Sequence, residues 1–124
     1  MTTLHLVAET AVAVLYAVGA AFNAVYTLRH CDEFYGAWLA GAWHEPARWL
    51  LRSVILPHAR AFTAALILFQ ATLAAAVLGR TDLVGPALLA GAVFCVIAAV
   101  MSSPGGTVGN LALAAIQVAL AVAR

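Results

Sequence analysis

The stretch from Glu9 to His30 constrains this chain most. It is apolar almost throughout, yet Glu9, Tyr16, Asn23 and His30 recur at seven-residue intervals. Seven residues is close to two turns of α-helix, so the four side chains stack along one face. Ala, Val and Leu occupy the other faces. A helix that is apolar on most sides and polar along one line fits a membrane bundle with the line turned inward.

Composition agrees with a membrane setting. The chain has 124 residues, 65% hydrophobic and 9% charged, and its mean hydropathy is +1.02. Soluble domains carry about 25% charged residues. So little charge cannot cover a water-facing surface, and lipid is the expected solvent. A net charge of +1 without a basic patch excludes nucleic acid as a partner. Lys is absent, and with the heavy Ala and Val usage this hints at a GC-rich genome. Cys31 and Cys95 form no CxxC pair and are expected at different depths, which argues against a disulfide. Met1 to Glu9 lacks the basic start of a signal peptide and leads into too long an apolar run, so it is read as a retained helix.

A spanning helix needs roughly 20 apolar residues. Four segments meet or approach this: about Leu4–Leu28, Ala59–Leu78, Leu83–Met101 and Val108–Ala123. The fold class expected is therefore all-α, a polytopic four-transmembrane-helix bundle forming one domain. Gly79 to Asp82 and Ser102 to Thr107 are turns, and connections this short make their helices antiparallel neighbours.

The connection from Arg29 to His58 is long and holds Trp38, Trp43 and Trp49 with His30, His44 and His58. Trp and Tyr favour the membrane–water boundary. Short interfacial helices are expected within about residues 31–56, over Glu33–Trp43 and Pro46–Leu56, with Arg48 and Arg52 toward headgroups. Both an interfacial anchor and a functional lid suit this composition. Arg29, Arg48, Arg52 and Arg60 lie in or beside this connection, against Arg80 and Arg124 at the other pole. The positive-inside rule then places the connection in the cytoplasm and both termini outside.

The later helices repeat the seven-residue theme with Thr63 and Gln70, with Cys95 and Ser102, and with Asn110, Gln117 and Arg124. Turned inward, these form layers. Tyr16, Gln70, Cys95 and Gln117 are expected near mid-membrane, and Asn23, Thr63 and Asn110 nearer the long connection. The polar-seam candidates for ligand binding are Tyr16, Asn23, Gln70, Asn110 and Gln117. Taken singly, Asn23, Gln70, Asn110 and Gln117 are better read as interhelical hydrogen-bonding groups, and it is the seam through all four helices that points to a ligand. Glu9 is expected to pair with Arg80 or Arg124, since an isolated carboxylate in a bilayer costs about 2.5–3.5 kcal/mol on insertion scales.

His30 and His58 are expected at one membrane surface, as interfacial residues beside the tryptophans. No HExxH, paired CxxC, GxSxG, P-loop or dinucleotide motif occurs, so no metal site is expected and no catalytic residue is assigned.

Three places carry a family likeness: Gly19-Ala-Ala-Phe22-Asn23 with the aromatic connection behind it; Leu56-Pro57 running on to Phe69-Gln70 and Gly79-Arg80; and the small-residue run Gly85 to Val100. Together they resemble the DoxX-like group of small four-helix membrane proteins. The chain departs from it at Gln70, where members often have an acidic residue. The resemblance implies association with membrane oxidoreductase systems, in a non-catalytic or quinone-adjacent role.

The function expected is a small subunit or accessory protein of a larger membrane assembly, respiratory or oxidoreductase in type, in the bacterial inner membrane. Its partners would be lipid and other membrane subunits or further copies of itself. The alternative is a bundle holding a quinone, a lipid-like molecule or haem, roofed by the tryptophans. A third reading is a small-solute transporter acting as an oligomer.

Overall fold

The computed structural model describes residues 1–124, and every regular element is helical. Helix α1 runs Thr3–Phe22; Thr2 caps it, its Oγ1 accepting from the His5 amide at 3.1 Å. The helix widens into a π-helical turn over Asn23–Thr27. The chain leaves helical geometry at His30, with φ −126° and ψ 38°, and restarts as α2, Cys31–Gly41.

Helix α3, Glu45–Leu50, starts from His44, whose Nδ1 accepts from the Ala47 amide at 3.2 Å. Pro46 stands in its first turn, where a missing N–H costs nothing. A second π-helical turn, Leu51–Ile55, and a 3₁₀ turn, Leu56–His58, follow. Pro57 gives a reason for this irregularity: it donates no backbone hydrogen bond and its ring crowds the preceding turn. At His58 the backbone again breaks, with φ −123° and ψ 32°, and α4 begins, Ala59–Leu78. Helices α5, Val84–Met101, and α6, Pro104–Val122, complete the chain.

Four helical runs are long and apolar enough to cross a membrane: Thr3–Thr27, Glu45–Leu78, Val84–Met101 and Pro104–Val122. This is the expected four-span, all-α architecture, compatible with a multi-pass membrane protein. One boundary differs. The expected second helix coincides with α4, but helical turns reach back through Pro46–Leu56 to Glu45, giving a run of 34 residues. That segment is therefore an irregular extension of the second run, bent at His58. Pro57 disturbs a helix here without ending it.

Packing is uneven. Helix α5 lies closely on α6, and α1 on α4, whereas α4 meets α5 and α1 meets α6 over much less of their lengths. Small residues on α5, among them Ala92, Cys95 and Ala99, are buried and permit the close α5–α6 approach. The main core gathers Val12, Ala13, Tyr16, Leu73, Val77, Val84 and Leu88. A second cluster around Tyr35, Leu51, Ile55 and Met101 binds α2 and α3 to the pole where α5 ends.

Candidate functional site

Four polar groupings follow one another along the inside of the bundle. At one pole lies Glu9, with 0% of its surface exposed. Arg124 Nη1 donates to its Oε1 at 2.8 Å and its Oε2 at 2.5 Å, and Arg80 Nη1 to Oε1 at 3.3 Å. His5 Nε2 lies 3.4 Å from the same carboxylate. Arg80 also donates to Thr10 Oγ1 at 2.7 Å and to the Leu6 carbonyl at 3.3 Å. It is the one non-glycine residue with positive φ, 53°. The cluster ties α1, the α4–α5 turn and the end of α6 together. Both expected arginine partners are present, and His5 joins them.

Next, the Tyr16 hydroxyl donates to Gln117 Oε1 at 2.9 Å. Gln117 Nε2 donates to Cys95 Sγ at 3.4 Å and to the Leu113 carbonyl at 3.3 Å. Gly91 makes room for them: a Cβ there would collide with Gln117 Oε1 and lie 2.6 Å from the Tyr16 hydroxyl.

Beyond it, Asn23 Nδ2 donates to Gln70 Oε1 at 2.8 Å, and Thr27 Oγ1 donates to Asn23 Oδ1 at 2.8 Å. Gln70 thus belongs with Asn23, not with Tyr16 and Gln117 as expected. It lies over Gly19, where a Cβ would come within 2.9 Å of its Nε2. The antiparallel register of α1 against α4 decides this.

The fourth grouping is Thr63 with Tyr35 and Cys31. Thr63 Oγ1 gives its proton to the Ala59 carbonyl at 2.7 Å, so the Tyr35 hydroxyl, 2.7 Å away, is the donor to Thr63. Cys31 Sγ lies 3.7 Å from Thr63 Oγ1. Burial pushes the Tyr35 phenol up from its ordinary value. Tyr35 and Cys31 fall outside every seven-residue register, so spacing does not point to them.

The other candidates go elsewhere. Asn110 Nδ2 donates to the Gly106 carbonyl of its own helix at 2.9 Å and bonds no neighbouring helix. Trp38 packs beside Phe34 and Tyr35, with ring centroids at 5.9 and 6.2 Å. Trp43 and Trp49 are 58% and 57% exposed, so they do not roof the seam. Cys31 and Cys95 are both free and buried, in separate groupings. No three His, Cys, Asp or Glu side chains are placed to hold a metal ion.

Two hollows open on the outside. One, about 650 Å³, lies where α4 and α5 part, and its lining, including Leu66, Phe69, Val93 and Phe94, is wholly apolar. The other, about 480 Å³, sits at the pole where α1 ends and is lined by two six-residue stretches, 28–33 and 56–61. These stretches match. Leu28, His30 and Phe34 return as Leu56, His58 and Phe62 at a constant shift of 28 residues. Each histidine follows a π-helical turn, has nearly the same backbone angles, and begins a new helix. The Leu-x-His-x-x-x-Phe spacing was readable in the sequence, but neither copy lies in a regular apolar period.

Apart from Asn110, which bonds its own helix, and His5 Nε2, which makes no hydrogen bond, the polar seam is a set of filled hydrogen bonds, and the two hollows lie outside it. Against protein-family models, curated proteins and solved structures, the chain finds no match in any of the three comparisons.

Proposed function

We propose that the chain is a small integral subunit or accessory protein of a larger membrane assembly, resident in the bacterial inner membrane. One observation supports this above the others. Tyr16, Asn23, Gln70 and Gln117 are all bonded to partners within the chain, while α4 and α5 part on the outer surface in an apolar groove of about 650 Å³. With its interior groups engaged, the chain has its lipid-level faces left for interaction. The groove follows α5 from Ala90 to Met101, about 16 Å of helix at 1.5 Å per residue, and exposes no polar side chain to a headgroup. A transmembrane helix of a partner subunit suits it better than a polar ligand does. The resemblance to DoxX-like proteins favours a respiratory or oxidoreductase assembly.

The test is purification from native membranes in mild detergent, with a photo-crosslinking residue at Val93 in the groove or at Val118 on α6. One defined membrane protein should copurify and crosslink from Val93 and not from Val118. A monomer that crosslinks only to lipid at both positions would overturn the reading.

A further inference from the structure

The hollow between residues 28–33 and 56–61 has no part in that role, and its lining is of another kind. Arg29, Asp32, Glu33 and Arg60 all line it. Every other charged side chain except Asp82 is held in an ion pair. The charges left unpaired by the fold are thus gathered almost entirely at one opening. His30 and His58 join them; His30 Nδ1 is engaged with the Tyr26 carbonyl at 3.0 Å, which leaves Nε2 free. Leu28, Leu56, Pro57 and Ala61 supply the apolar part of the wall.

Both signs are present in equal number when the histidines are neutral. A simple anion would gain no net attraction from such a lining. A group carrying a phosphate and an ammonium a few bonds apart matches it, with arginine forks for the phosphate and carboxylates for the ammonium. About 480 Å³ falls within the range of small-molecule sites. The hollow stands at the end of the first long apolar run and at the bend that opens the 20-residue α4, and a span of about 20 residues on either helix would put it at headgroup depth.

We propose that this hollow is a discrete binding site for one phosphoethanolamine group, as carried by a phosphatidylethanolamine headgroup or by the free phosphomonoester. The inference rests on membrane residence and not on the accessory role, so either can fail alone. It is tested on the full chain, delipidated in detergent and titrated with phosphatidylethanolamine or phosphatidylglycerol under native mass spectrometry. One phosphatidylethanolamine should bind per chain in preference to phosphatidylglycerol. Arg29→Gln with Arg60→Gln should weaken it by about tenfold or more, the worth of a charge-assisted bond. Asp32→Asn with Glu33→Gln should abolish the preference between the two lipids. Arg48→Gln with Arg52→Gln, which removes the pair to Glu45 and a bond to the Ala42 carbonyl but no residue of the hollow, should leave lipid binding unchanged. Competition by water-soluble O-phosphoethanolamine identifies the free ester as occupant, and its absence identifies the lipid. Equal binding of both lipids by the unaltered chain, or equal weakening by the Arg48 and Arg52 substitutions, overturns the proposal.

Discussion

Tyr16 and Gln117 meet across α1 and α6 at 2.9 Å, although these two helices touch over little of their length. Their hydrogen bond therefore links the α1–α4 pair to the α5–α6 pair. Interhelical bonds of this kind contribute about 0.6 kcal/mol on average and up to about 1.7 kcal/mol. Tyr16→Phe should fall in that range, because Gln117 keeps its bonds to Cys95 and Leu113 but loses the one to its carbonyl oxygen. Tyr16→Phe with Gln117→Leu should cost less than the sum of the singles, since their mutual bond is lost in each single and only the weakly bonding Cys95 thiol is then left without a partner. Unfolding in mixed detergent micelles measures both.

Gly91 and Gly109 should respond oppositely to alanine. A Cβ at Gly91 meets Gln117 and Tyr16, both buried, and overpacking of this kind costs about 1–3 kcal/mol. Removing the Gln117 side chain in the Gly91→Ala background should restore part of the loss. A Cβ at Gly109 meets nothing within 4 Å, so Gly109→Ala should be neutral or stabilise by up to about 1 kcal/mol. Thermal unfolding of the two single variants and the double variant checks the order.

At Glu9 the order of substitution effects follows from exposure. The carboxylate is fully buried, whereas Arg80 and Arg124 keep 37% and 26% of their side chains open. Arg80→Ala with Arg124→Ala strands a buried charge, a situation that costs about 3–5 kcal/mol. Glu9→Gln frees two arginines that still reach water, and should cost about 1–3 kcal/mol. Equal effects of the two changes in the same unfolding assay would contradict this asymmetry.

Tyr35 lies on α2, outside the four long runs, and its raised pKa has a consequence for stability. The unfolded chain ionises it near 10.0, and the folded chain holds the proton to higher pH because the site is buried. The contribution is complete below that ordinary value and is lost as pH rises above it. Phenolate absorbance should show a late component that Tyr35→Phe diminishes. The same substitution should flatten the fall in stability above about pH 10.

Much of the seam could be read from spacing alone. Glu9, Tyr16 and Asn23 are all buried along one line of the first run, and Glu9 finds both expected arginines. His30 leaves that line because the helix widens over Asn23–Thr27 and then breaks, so a count of seven no longer returns to the same face. Gln70 meets Asn23 and not Tyr16 because periodicity gives a face but not the sliding register between two antiparallel helices. Asn110 has the right period, yet a carbonyl one turn back in its own helix satisfies it first. The α4–α5 groove left no sequence signal, since its lining is as apolar as any lipid-facing surface.

The order of synthesis gives the Glu9 cluster a temporal meaning. Glu9 and Tyr16 precede their partners Arg124 and Gln117 by 115 and 101 residues. Until α6 packs against it, the first helix carries a carboxylate lacking its closest guanidinium and a phenol lacking its amide acceptor. Arg80 and Gln70 can engage α1 before α6 exists, but the two bonds that close α6 against α1 must form after all the others.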